Sequence, residues 1–156
     1  MYKRQPICPG INNVHKLSDE QLKTKCEVIG YPLLVKSSAG GGGIGMSVVQ
    51  NFKDLASAIE KTSNLASKSF GNGDIFIEKF ITNARHIEIQ VFGFGSKGAV
   101  HLYERDCSMQ RRYQKIIEES PAPEVDRELI NTMAEAAVKL SSDVKYEGAG
   151  TIEFIY

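Results

Sequence analysis

The sequence predicts an α+β protein, and three observations carry that prediction. Apolar residues recur at helical spacing in three stretches, around 18–29, 52–69 and 126–142. The run His86-Ile87-Glu88-Ile89-Gln90-Val91-Phe92 alternates strictly, which marks a half-buried strand. Between two short strand-like segments lies a loop with five glycines in six positions, Gly40 to Gly45.

The elements follow in order. Residues 6–16 are rich in turn formers and read as a loop. Ser18 is placed to cap a helix, with Asp19 and Glu20 in its first turn. Leu22, Cys26 and Ile29 continue that pattern until Gly30 stops it. Leu33-Leu34-Val35 is a short apolar run ending at Lys36 and reads as a buried strand. Strand character returns from Met46 to Val49, after the glycine loop. Asn51 can cap a long helix over 52–69, where Leu55, Ile59, Thr62, Leu65 and Ala66 share one face. Gly71-Asn72-Gly73 is a turn, and Asp74 to Phe80 is the next strand. After the alternating strand, Gly93 to Gly98 forms a hairpin loop and Ala99 to Tyr103 pairs back antiparallel. Glu104 to Glu119 is densely charged around Ile116-Ile117, and Pro121-Ala122-Pro123 breaks the chain. A helix over 126–142 aligns Leu129, Ile130, Met133, Ala137 and Leu140. Gly150 to Tyr156 is a last strand with no return segment, so the chain is expected to be cut in mid-fold.

Composition excludes several classes. The 156 residues allow one domain or two small subdomains. Nineteen Lys+Arg balance 19 Asp+Glu, so the electrostatic footprint of a nucleic-acid binder is missing. Hydrophobic content of 42 % and charged content of 24 % are those of a globular protein. No run approaches the ~20 apolar residues of a membrane span, and the N-terminus lacks a secretory apolar stretch. Cys8, Cys26 and Cys107 form no CxxC pair and read as reduced thiols of a soluble, cytoplasmic protein.

The glycine loop formally satisfies GxGxxG. A dinucleotide-binding turn would open a helix directly at the loop, whereas strand-like Met46 to Val49 follows. There is no Gly-Lys-Ser/Thr, so a Walker A loop is excluded. The unit reads instead as a hairpin flap whose backbone N–H groups can approach phosphate oxygens. Lys36, at the end of the entering strand, adds a point charge to them. The bland alternative is a mobile loop with no ligand, at an entropic cost of up to ~1 kcal/mol per glycine.

Other candidates are weaker when taken singly. Glu78-Lys79 could meet an adenine edge or be a solvated strand end. His86 alone reads as an ordinary strand-edge histidine. Gln110 to Lys115, flanked by acids, reads as a solvated charge ladder. Glu153 interrupts an apolar strand and points away from the face of Ile152 and Phe154. A carboxylate on a sheet face near a phosphate site is a natural Mg²⁺ ligand.

Taken together, these residues carry a resemblance. Lys36-Ser-Ser-Ala-Gly-Gly-Gly-Gly-Ile-Gly-Met46, Glu78-Lys79-Phe80, Arg85-His86-Ile-Glu-Ile-Gln90, the ERDCSMQRR block at 104–112, Gln114-Lys115 and Gly148-Ala-Gly-Thr-Ile-Glu-Phe154 occur in that order. The chain from about residue 6 onward resembles the ATP-grasp domain of biotin carboxylases. Ile44 in the glycine loop and the ending AGTIEFIY look closer to the urea carboxylase (urea amidolyase) branch than to the acyl-CoA or pyruvate branches.

The resemblance implies roles, position by position. Lys36, Gly42 and Gly43 hold ATP phosphates, while Glu78, Lys79, Phe80 and Ile81 line the adenine pocket. His86, Gln110 and Tyr113 lie beside the nucleotide. Lys115 contacts bicarbonate as the catalytic lysine, and Glu153 is the first metal ligand, for Mg²⁺ or Mn²⁺. Such enzymes use ATP to make carboxyphosphate from bicarbonate and then carboxylate biotin on a carrier domain, with a carboxyltransferase domain as a further partner. Neither nucleic acid nor membrane is implied. Residues 8–80 then form a lid of three antiparallel strands and two helices, carrying the flap. Residues 81–156 begin a larger antiparallel sheet backed by the 126–142 helix. Tyr113 departs from the His or Asn usual in these enzymes. The family's second metal-binding Glu, a nearby Asn, a bicarbonate-binding Arg and a catalytic Glu fall beyond Tyr156. Its N-terminal domain falls before Met1, and Met1 to Gln5 match nothing in it. A fragment inactive on its own is therefore expected. The competing readings are a non-catalytic nucleotide-binding module and another ATP-grasp ligase such as a carbamoyl-phosphate synthetase, against which the ERDCSMQRR block speaks. More remote is a dinucleotide oxidoreductase.

Overall fold

The computed structural model describes residues 7–40 and 43–156. The chain divides into two compact units, Met1–Thr82 and Asn83–Tyr156.

The first unit contains β1 (Gly10–Ile11), α1 (Asp19–Ile29), β2 (Leu33–Ser37), β3 (Met46–Val49), α2 (Leu55–Phe70) and β4 (Ile75–Lys79). Its sheet has the order β1-β4-β2-β3 and is antiparallel throughout. Ser18 closes a capping box, its hydroxyl accepting from Gln21 N at 3.3 Å while Gln21 Oε1 accepts from Ser18 N at 3.1 Å. Leu33, Val35 and Ile77 point to one face of the sheet and pack with Leu22, Cys26, Val49 and Leu55 into the core. Full burial of one such aliphatic side chain contributes roughly 1.5–3 kcal/mol.

Two expectations need correction here. The sheet has four strands rather than three, because Gly10–Ile11 pairs with β4 inside the segment read as loop. Two residues carry no periodicity, and the surrounding turn formers mask them. The helix read from residue 52 begins at Leu55, after a 3-10 turn over Phe52–Asp54 in which Asn51 Oδ1 accepts from Lys53 N at 3.0 Å. Both helix types present similar apolar spacing over so short a run. After the glycine loop the chain enters β3, closed by Ser37 N donating to Gly45 O at 2.9 Å, with Gly45 at φ 73°. No helix opens at the loop, which removes the dinucleotide-binding arrangement.

The second unit contains β5 (His86–Phe94), β6 (Ala99–Arg111), β7 (Gln114–Glu119), α3 (Arg127–Asp143) and β8 (Glu147–Ile155). The order is β7-β6-β5-β8, again antiparallel. Ile87, Ile89 and Val91 pack on one face against Ile130, Met133, Ala134 and Ala137 of α3. By the period of two, His86, Glu88 and Gln90 belong to the opposite face. The charged stretch 104–119 is solvated at Arg111 to Gln114, as a charge ladder would be, but not at Glu104, which is fully buried. The stretch forms most of a long hairpin, turning at Arg112 and Tyr113 with φ of 51° and 65°. Its acids are tied down: fully buried Glu104 accepts from Arg127 Nη1 at 2.5 Å, and Asp106 accepts from Arg85 Nη2 at 2.6 Å. β8 begins three residues earlier than expected, and it occupies an edge of the described sheet. No helix among the described residues is long and apolar enough to cross a membrane.

Candidate functional site

In the first unit, the register pairs Leu34 with Glu78 and Lys36 with Phe76, so these side chains share the sheet face turned from the core. Lys36 Nζ donates to Glu78 Oε1 at 2.9 Å and lies 5.3 Å from the Phe76 ring centroid. The lysine expected at phosphates is thus held by the carboxylate expected at adenine. Lys79 Nζ donates to Gly30 O and Tyr31 O, both at 2.9 Å, satisfying carbonyls at the C-terminal end of α1. Phe80 N donates to Pro32 O at 3.1 Å, and Ile81 is exposed. Gly43 has φ 78° within the flap, while Gly42 lies outside the described residues.

The second unit brings His86, Gln110, Lys115 and Glu153 together and adds two residues with no assigned role in the sequence reading. Glu88 is opposite Arg105 on one side and Glu153 on the other. Its side chain is fully buried, and Arg105 Nε donates to its Oε1 at 2.7 Å, with a second, shorter contact from Nη2. Gln90 Nε2 donates to the same oxygen at 2.9 Å. Lys115, on β7, reaches across β6 to donate to Glu88 Oε2 and, at 2.8 Å, to Glu153 Oε1. Arg105 Nη1 also meets Glu118 Oε2 at 2.5 Å. Gln110 Nε2 lies 2.6 Å from His86 Nδ1, which places the neutral ring's proton on Nε2 when Nδ1 accepts. His86 Nε2 is 3.3 Å from Glu153 Oε1 but out of line for a hydrogen bond, so it is buried without one. Tyr113 stands exposed at the hairpin tip.

Electrostatics follow from this packing. Burial opposes ionisation of Glu88, yet the Lys115 and Arg105 cations outweigh it and hold the carboxyl below its usual range. Burial likewise works against the Lys115 ammonium, and Glu153 and Glu88 override it, so its pKa is raised. Burial and the nearby Glu88 charge push the Cys107 thiol up to about 11. Glu88 could have been found in the sequence: the strict alternation puts it in the polar phase with His86 and Gln90, between two isoleucines. Its partner Arg105 sits in a block whose charge density suggested solvent.

Donor atoms of His86, Glu88 and Glu153 lie within 4.8 Å of one another. The half-exposed Glu153 carboxylate, with Glu88 behind it, suits a hard divalent cation such as Mg²⁺ or Mn²⁺, whereas a proton on His86 Nε2 leaves that nitrogen no lone pair to offer. A second group of Glu88, Cys107 and Glu118 fits poorly. Its thiol is protonated at neutral pH, and Arg105 already joins the two acids.

Residues 3–156 match the family described as carbamoyl-phosphate synthase L chain, ATP binding domain. The chain is 49 % identical over 150 residues to the methylcrotonoyl-CoA carboxylase subunit alpha, mitochondrial, of Rattus norvegicus, covering 96 % of this chain and 21 % of that protein. It superposes with a TM-score of 0.87 on a biotin carboxylase in complex with β,γ-ATP from Campylobacter jejuni, at 45 % identity over 96 % of this chain and 33 % of that one. It superposes with a TM-score of 0.85 on the biotin carboxylase domain of Hydrogenobacter thermophilus 2-oxoglutarate carboxylase, a dimer in complex with MgADP, ADP and bicarbonate. Identity there is 41 %, over 96 % of this chain and 33 % of that one. The chain thus spans between a fifth and a third of the length of these proteins.

Proposed function

This chain belongs to the carbamoyl-phosphate synthase L chain ATP-binding domain family and has an ATP-grasp fold of the biotin carboxylase type, and from that premise we propose that it is the ATP-binding part of a biotin carboxylase. The reaction is the ATP- and bicarbonate-dependent carboxylation of biotin on a carrier domain. One observation carries the reading: the ERDCSMQRR block and Lys115 form the β6–β7 hairpin, and that hairpin sets Arg105 and Lys115 against Glu88 and Glu153 on one open sheet face.

Each residue then has a task. Lys36 supplies a mobile point charge for phosphate oxygens once it leaves Glu78. Gly43, Phe80, Ile81, His86, Gln110 and Tyr113 contribute nucleotide contacts. Lys79 contributes through its backbone, because its ammonium is engaged at the end of α1. Glu153, with Glu88 behind it, would hold the divalent cation, which when bound neutralises phosphate charge. Lys115 presents an ammonium to bicarbonate and, with Arg105, keeps the face cationic where negative charge develops. The final acceptor is proposed to be urea, on Ile44 and the 149–156 run alone, with a carboxyltransferase domain completing the transfer. Three free cysteines suit the reducing cytoplasm.

The complete polypeptide should hydrolyse ATP only with bicarbonate present and should carboxylate free biotin. Bicarbonate-independent hydrolysis, or nucleotide binding without any turnover, overturns the enzymatic reading. Assays with urea, acyl-CoA and pyruvate as acceptors decide the branch, and turnover confined to either of the last two removes urea.

A further inference from the structure

We propose that the Lys115 ammonium is the resident counter-ion of the Glu88–Glu153 carboxylate pair, and that a divalent cation arriving at Glu153 displaces it. Metal entry and release of Lys115 towards an anionic substrate are then one event. This rests on the reading of Glu153 as a metal ligand given above.

The register makes the need for a counter-ion concrete. Glu88 and Glu153 stand directly opposite on β5 and β8, and like charges in that relation repel. Lys115 sits between them, bonded to Glu88 Oε2 and to Glu153 Oε1 at 2.8 Å. A metal about 2.0–2.1 Å from that carboxylate oxygen would put a second positive charge beside the ammonium 2.8 Å away, and like charges so close repel. The two cations therefore compete for Glu153 Oε1.

The surroundings permit the exchange. Arg105 stays on Glu88 through Nε, so the buried carboxylate keeps a partner when Lys115 leaves. The side chains of Lys115 and Glu153 are 26 % and 53 % exposed, so the bridge opens without opening the core. A four-carbon stem with rotatable donors lets the ammonium swing without moving the backbone. Once freed it remains a cation at the open end of the row.

The test uses Mn²⁺ alone, titrated into the chain and followed by electron paramagnetic resonance of the free ion. Lys115→Gln should bind Mn²⁺ about fivefold more tightly than wild type or better. Lys139→Gln removes the same charge from α3 on the far side of the sheet and should stay within about twofold of wild type, because screening weakens distant charges. Unchanged affinity in Lys115→Gln, or equal tightening in both variants, overturns the exchange. Lysine ammonium nuclear magnetic resonance on the wild-type chain gives a second readout that does not depend on the metal affinity of any variant. Mg²⁺ should shift one signal, the one absent from Lys115→Gln, and a stationary signal overturns the proposal. Glu153→Gln separates the two layers. If it binds Mn²⁺ as well as wild type, the metal reading falls and the exchange falls with it. If it loses binding while Lys115→Gln gains nothing, only the exchange fails.

Discussion

Two lysines, Lys36 and Lys115, rest on carboxylates from other strands of their own sheets, and neither pairing is idle. An unpaired cation in a half-buried site loses solvation without compensation, so each is held where a nearby acid offsets that loss. For Lys36 the partner is Glu78, with the Phe76 ring adding a cation–π contact. If Lys36 serves phosphate, Lys36→Met should weaken ATP binding tenfold or more, since hydrogen bonds to charged groups are worth about 1.5–3 kcal/mol. Calorimetric titration with ATP checks this, and unchanged affinity removes Lys36 from the site. Glu153 gives a second case. Glu153→Gln keeps the shape but loses the charge that Lys115 or a metal requires. In the complete polypeptide it should abolish most Mg²⁺-ATP turnover while the circular dichroism spectrum stays native. Near-normal turnover at limiting Mg²⁺ would make Glu153 a structural strand residue.

At the scale of the element, the β6–β7 hairpin holds an unusual turn. Arg112 and Tyr113 both take positive φ, the condition of the tight hairpin turn that an Asn-Gly pair fills most readily. Side chains with a Cβ are strained there by roughly 1–2 kcal/mol per residue. An asparagine followed by a glycine would relieve that strain, so the double variant Arg112→Asn, Tyr113→Gly should melt several degrees higher, as ~1 kcal/mol in a chain this size implies. Calorimetry tests it, and a lower melting temperature means that Arg112 or Tyr113 makes a stabilising contact. The same hairpin shows where sequence reading ran out. Periodicity located α1, α3 and the alternating strand, because each has a core face and an open face, whereas β2 was legible as a short apolar run, buried on both sides. Periodicity failed across 104–119, where Glu104, Arg105, Asp106 and Lys115 are drawn from water by partners elsewhere in the chain. Glu104 is buried because Arg127, 23 residues away in sequence, comes to it. His86 and Lys115 entered the candidate site only through the family resemblance, and Glu153 also as an acid interrupting an apolar strand, while the Glu88–Arg105 link that joins them depends on strand register, which composition does not carry.

For the molecule as a whole, three tethered carboxylates decide the response to acid. Glu88, Glu104 and Asp106 all titrate below their usual values. Burial alone would raise them, but Lys115 and Arg105, Arg127, and Ser108 with Arg85 respectively outweigh it. A carboxyl group whose folded value lies below its unfolded value of about 4 stabilises the fold above that pH. The contribution is lost as pH falls through the folded value. Melting temperature should therefore be flat from neutral pH to about 5 and fall steeply below 4. Thermal melts across that range provide the measurement, and an acid-insensitive profile would mean that these pairs add nothing net. All three carboxylates belong to the second unit, which also carries Glu153.

The position of β5 has a consequence in time as well as in space. It pairs with β6 on one side and β8 on the other, and its apolar face lies under α3. Its amide hydrogens should therefore be the slowest of the second unit to exchange with deuterium, lagging those of β7 and β8, each of which has one unpaired edge among the described residues. His86 and Glu88 ride on that strand. Small openings that fray the outer strands leave them standing, and only the rare opening of the whole unit disperses them. Local breathing thus loosens the lysine, on β7, and the outer carboxylate, on β8, long before it reaches the residues they answer to. The site's memory of its own shape is kept in the strand that moves last.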